Sequence, residues 1–178
     1  MKTYTPRFDL PGHMTRQIGR IIVRYAYLEH YARVIIYELL NLDAKRGRVA
    51  VREPDLTDRI NMIADLALFN GVDVPETKIT SLTKKTDDNK SLRDLYAHGL
   101  WTYDNGRWMV QVARGNNPRK PGTSKRAASR RARPAGLIVK PENLQFMVAD
   151  LEDIIDELGG LHNWIKERLK SSPEKQRQ

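Results

Sequence analysis

The chain contains no cysteine. That absence excludes disulfides, thiol nucleophiles and cysteine-based zinc sites together, and it fits a cytoplasmic protein. No apolar run approaches the roughly 18 residues that a membrane helix needs, so no membrane partner is expected. The opening residues, from Met1 to Arg7, have no apolar stretch behind them, and no secretory signal is expected. Aromatic residues are sparse, at 7% of the chain. Acidic residues are missing from one region altogether: between Arg114 and Arg133 there are eight bases and no Asp or Glu.

That last absence explains the net charge. The 178 residues carry a formal charge of +9 from 31 bases and 22 acids. Outside the 114–133 stretch, 23 bases face 22 acids. The chain is therefore a nearly neutral domain with one cationic segment: Arg114, Arg119, Lys120, Lys125, Arg126, Arg130, Arg131 and Arg133. Pro118, Pro121, Gly122 and Pro134 predict a mobile loop over 114–134. Six of its eight cations are arginine, the residue suited to phosphate. With no aromatic among them, they would grip a nucleic-acid backbone rather than stack on bases. A solvated loop, or one that docks an acidic protein, is the alternative.

Leu, Ile, Val and Phe supply 43 residues, enough for a core in a single domain over 1–170. Helical spacing is clearest over residues 13–41, where Ile18, Ile21, Ile22, Tyr25, Leu28, Ala32, Ile35, Ile36, Leu39 and Leu40 recur at i, i+3, i+4. Residues 41–47 read as its end and a loop. Asp55 is a good N-cap for a second helix that stops near Asn70-Gly71. A third helical region runs from Pro75 to His98-Gly99, with a break expected in the polar stretch from Thr83 to Asn89. The period then changes to two. Asn105-Gly106 predicts a type I′ turn in a hairpin over about 100–113, and Leu137-Ile138-Val139 reads as a short strand returning to it. The last helix starts at Pro141 and runs to about Lys170, with Gly159-Gly160 expected to weaken or kink it. Residues 171–178 form a polar tail. The fold class is mainly α: about four helices with a small β-hairpin insertion and a basic loop.

The sharpest local signal is Arg93-Asp94-Leu95-Tyr96-Ala97-His98, an arginine and a polar residue with a histidine after a gap of four. Here the sequence resembles the HEPN superfamily, all-α domains of which many are metal-independent endoribonucleases. The resemblance covers most of the chain in architecture and about six residues in motif. It implies a HEPN-like bundle that cleaves RNA without metal or cofactor, using two copies of the motif at a homodimer interface, in a defence or toxin–antitoxin setting with a possible protein regulator. Arg93, Asp94 and His98 would be catalytic, with Glu29 and Tyr96 supporting them. The residue types suit the chemistry. A histidine titrates near neutral pH and can move a proton at a ribose hydroxyl. An arginine can hold a phosphate by paired hydrogen bonds.

Helical geometry constrains the site. Five residues turn an ideal helix by about 140°, so Arg93 and His98 are expected to flank a ridge of Leu92, Leu95 and Tyr96. Either the helix unwinds at His98-Gly99, or the site needs a second copy. Glu29 sits inside the apolar stripe of the first helix, and a buried carboxylate needs a partner. Arg93 is the expected one, and a place at the stripe's solvent edge is the alternative. His162, on the stripe of the last helix, reads as a core or interface residue. His13 and His30 read as exposed. No His and carboxylate spacing matches a metal motif, so no metal is expected. Two other classes stay open beside the enzyme: a non-catalytic nucleic-acid-binding or scaffolding dimer, and a helical adaptor for an acidic protein.

Overall fold

The computed structural model describes residues 9–51, 54–111 and 137–171. Among these residues, five helices and three strands follow in the order α1 (Gly12–Leu39), α2 (Ala44–Ala50), α3 (Leu56–Phe69), α4 (Glu76–His98), β1 (Leu100–Asp104), β2 (Arg107–Gln111), β3 (Leu137–Val139) and α5 (Pro141–Ser171). The cationic stretch from Arg114 to Arg133, the expected hairpin end at Val112 and the tail residues 172–178 lie outside the described residues.

Helix α1 buries one stripe: Met14, Ile21, Tyr25, Leu28, Ala32, Ile35 and Ile36. Helix α5 buries another, from Leu144 through Leu151, Ile154 and Leu158 to Ile165. The two stripes pack on one another, and α3 and α4 close the remaining side of α1. Ion pairs from Arg24 to Glu152 and from Lys85 to Glu157 rim the contacts that α5 makes. Among the described residues, no helix is long and apolar enough to cross a membrane.

Three expectations are corrected. The segment after α1 is not all loop: Asp43 caps the short helix α2 by accepting from the backbone N–H groups of Lys45 and Arg46. Helix α4 is unbroken through the polar stretch 83–89. Its polar side chains turn back on the helix itself, Thr83 and Thr86 donating to the Ile79 and Thr83 carbonyls and Asn89 Nδ2 to the Lys85 carbonyl, so Thr86 and Asn89 can be buried. Helix α5 also runs unbroken through Gly159-Gly160, because tertiary packing along its apolar stripe outweighs a propensity cost of about 1 kcal/mol per glycine.

The expected hairpin forms. Asn105 and Gly106 take left-handed φ values of 49° and 77°, as a type I′ turn demands. β1 and β2 pair antiparallel with Asp104 opposite Arg107 and Leu100 opposite Gln111. β3 returns antiparallel to β2, with Trp108 opposite Val139 and Val110 opposite Leu137. This register has a consequence for the site. The last described residue of β2, Gln111, and the first of β3, Leu137, lie at the end of the sheet where α4 delivers Gly99 and Leu100.

Candidate functional site

Helix α4 carries the Arg-x4-His motif on its last turns. Its buried stripe is Leu82, Thr86, Asn89 and Tyr96, and Arg93 falls in the same row, four residues after Asn89 and three before Tyr96. Arg93 thus faces the helix bundle, within the stripe rather than beside a ridge of Leu92 and Leu95. Apolar spacing concealed this stripe because two of its buried members are Thr86 and Asn89.

The guanidinium of Arg93 lies over the ring of Tyr25 on α1, 4.8 Å from its centroid. Its Nη1 donates to Asp94 Oδ1 at 2.7 Å. A quarter of the Arg93 side chain stays open to solvent. Its Nε is buried and has no hydrogen-bond partner among the described residues. Burial, then the negative field of Glu29, pushes the Tyr25 hydroxyl up to about 12, against the opposing pull of Arg93. Tyr25 is therefore a neutral aromatic platform at physiological pH.

The expected Glu29–Arg93 pair is not formed. Glu29 is half-buried on α1, and its backbone carbonyl accepts from Arg59 Nη1 at 2.9 Å. The Arg93 guanidinium is instead captured by Tyr25, one turn before Glu29, and by the adjacent Asp94. Tyr96 is buried, and burial raises its hydroxyl pKa. Its carbonyl accepts from Trp101 Nε1 at 3.1 Å, and the two rings sit 5.9 Å apart. Tyr96 thereby ties the start of β1 to the end of α4.

His98 is the last residue of α4 and is exposed. The helix does not unwind before it, and the Gly99 N–H still reaches the Leu95 carbonyl at 2.8 Å. At about 100° per residue, His98 points away from the row that holds Arg93, and shares a face with Asp94 one turn earlier. Within one copy, Arg93 and His98 therefore leave α4 from different faces. Gly99 itself is extended, with φ −73°. Its lack of a side chain serves a close approach: a Cβ there would fall within 3.0 Å of the Leu95 carbonyl oxygen, Val110 Cγ2 and the Gln111 carbonyl oxygen.

Two polar arrangements escaped the sequence reading. Arg59 is 5% exposed between α3 and α1. Its place in the stripe Leu56, Arg59, Ile60, Ile63 and Ala67 was the available signal. The second surrounds His162, a buried residue at the α1–α5 contact, as its stripe position predicted. Its Nε2–H donates to the Glu38 carboxylate oxygen Oε2 at 2.8 Å, and its Nδ1 is hydrogen-bonded to the Tyr31 hydroxyl at 3.1 Å. Lys166 Nζ reaches the same Glu38 oxygen at 2.8 Å. Burial alone would raise the Glu38 carboxyl, but hydrogen bonds from Lys166 and His162 outweigh it and hold the group below its ordinary value. Among the described residues no cluster of three or more His, Asp or Glu side chains is arranged to hold a metal. His13 and His30 are exposed.

No family model, curated protein or solved structure matches the chain.

Proposed function

We propose that the chain is a HEPN-like protein acting on RNA, a metal-independent endoribonuclease whose site is completed by a second copy. The observation that carries this reading is the split of the motif on a regular helix. Arg93 is anchored against Tyr25 with a quarter of its side chain open to solvent, while Asp94 and His98 share the outer face. Two such helices brought together would gather both copies of Arg93 and His98 around one cleft.

The chemistry then needs only protein groups. One His98 takes the proton from a ribose 2′-hydroxyl as its oxygen attacks the adjacent phosphorus. The 5′-oxygen leaves and receives a proton from the His98 of the second copy. A 2′,3′-cyclic phosphate and a 5′-hydroxyl result, and Arg93 offsets the charge gathering on the phosphoryl oxygens. The register supports delivery of the strand. The eight-cation stretch is inserted between Gln111 and Leu137, at the sheet end that Gly99 touches.

Purified protein incubated with labelled RNA in EDTA tests the reading. Cleavage that survives EDTA and is lost in His98→Ala is expected. RNA left intact across varied sequences overturns the catalytic version. The firm tie of Arg93 to Asp94 and Tyr25 favours a second reading, a dimer that binds nucleic acid without cutting it. That reading expects a log–log salt slope of about −4 for about five neutralised phosphates, and loss of binding on deletion of residues 114–133.

A further inference from the structure

A cavity of about 780 Å³ lies at the opposite end of the sheet from His98. The hairpin turn forms one wall, the start of α1 another, and the β3–α5 junction the third. Met14 and Val139, both buried, floor it, and the half-buried Trp108 extends the floor. Exposed cationic or titratable side chains rim it from all three walls: Arg107, Lys140 and His13. No Asp or Glu is among its described lining residues. Tyr103 and Trp108 are cross-strand partners whose rings sit 5.0 Å apart at 50°, and both line the cavity.

These features select a ligand class. A rim with no acid among its described residues and with cations on separate elements suits an anion, and arginine in particular suits phosphate. The first turns of α1 and α5 also open on the cavity, and their dipoles add positive potential to that of the side chains. Phosphate alone would not need the aromatic wall. A wall of Tyr103 and Trp108 beside a cationic rim suits a flat π-system joined to a phosphate. We infer that this cavity is a nucleotide-binding subsite, with a base against the Tyr103–Trp108 wall and its phosphate between Arg107 and Lys140.

The subsite extends the RNA reading without resting on the motif in α4. Leu100 and Asp104 stand about 13 Å apart along β1, so a strand passing His98 could seat a base about two nucleotides away. The same chemistry is offered by a free nucleotide. The two sources differ in what binds better, not in which residues bind.

The test uses the full chain carrying His98→Ala, so that no strand is cut. Calorimetric titrations with 5′-AMP, adenosine and a five-nucleotide oligoadenylate are compared. AMP is expected to bind about fivefold or more tightly than adenosine, and Arg107→Ala with Lys140→Ala to weaken AMP binding about tenfold or more. Tyr103→Ala should weaken AMP and adenosine alike. Arg46→Ala, a remote exposed cation on α2, should change neither. Oligoadenylate binding about tenfold tighter than AMP, and equally lost in the double variant, identifies an RNA strand as the source. Equal affinities identify a free nucleotide. AMP affinity unmoved by the double variant, or no AMP binding to about 5 mM while circular dichroism shows a folded chain, overturns the subsite. Neither result bears on cleavage by His98, which is read separately in the unmutated chain.

Discussion

The Arg93 guanidinium rests on the Tyr25 ring, 4.8 Å from its centroid, and so joins the motif helix α4 to the central helix α1. This contact fixes which way the arginine faces. It also makes Arg93 a structural residue whatever its chemistry, and the two roles can be measured apart.

A double-mutant cycle isolates the contact. Arg93→Met keeps the aliphatic stem, and Tyr25→Leu keeps apolar volume near α4. Each single change is expected to cost about 1–2 kcal/mol in urea denaturation, with a coupling of about 0.5–1 kcal/mol between them. A coupling near zero would mean the stack contributes nothing beyond packing. Cleavage or RNA binding measured in Arg93→Lys then reads the functional role, since lysine keeps the charge and loses the planar fork.

The network around His162 gives a second expectation. His162→Ala removes the partner of the Tyr31 hydroxyl and one of the two partners of Glu38, and leaves a cavity between α1 and α5. The combined loss is about 2–4 kcal/mol. Tyr31→Phe removes only one hydrogen bond and is expected to cost about 1 kcal/mol. Similar costs for both variants in chemical denaturation would show that His162 contributes no packing of its own.

The apolar periodicity of α1 and α5 was legible because their buried rows are almost wholly aliphatic, from Ile21 to Ile36 and from Leu144 to Ile165. The turn at Asn105-Gly106 was legible because few residues tolerate two successive positive φ values. Hydropathy alone interrupts helix α4, because Thr86 and Asn89 are buried polar residues bonded to their own helix, which hydropathy counts as surface. The same blind spot misplaced Arg93 relative to its ridge. The Glu29 pairing failed for a different reason. Spacing places Glu29 within reach of α4, but cannot show that an aromatic face and a neighbouring carboxylate compete for the same guanidinium.

Acid sensitivity follows from two carboxylates. The Lys90 ammonium and the Asp58 backbone N–H, both donating to Asp55, hold that carboxyl below its ordinary value, and Glu38 is lowered too. A carboxyl depressed in the folded state binds its proton more readily in the unfolded one. Its stabilisation is therefore present above the unfolded pKa of about 4 and is lost as pH falls through the folded value. Denaturant midpoints measured from pH 7 down to pH 3 should fall on the acid side. Asp55→Asn keeps a competent N-cap but should flatten part of that fall. An unchanged acid slope in Asp55→Asn would remove Asp55 from the account.

Two glycines on one chain should respond to alanine with opposite signs. Gly19 lies inside α1, and nothing stands within 4 Å of where its Cβ would be. Gly19→Ala is expected to stabilise the protein by about 0.5–1 kcal/mol, through helix propensity and a less free unfolded chain. Gly99 has an ordinary negative φ, so backbone freedom is not its reason for being there. Its Cβ would press on the Leu95 carbonyl, on Val110 and on the Gln111 carbonyl. Two of those three groups are backbone and cannot swing aside, so α4 and β2 must separate. Gly99→Ala is expected to cost about 1–3 kcal/mol. Because the displaced strand end is where the cationic stretch is inserted, RNA affinity should fall in Gly99→Ala even at temperatures where the chain stays folded. Unchanged stability and unchanged RNA affinity in that variant would show that the close approach of α4 to β2 matters for neither.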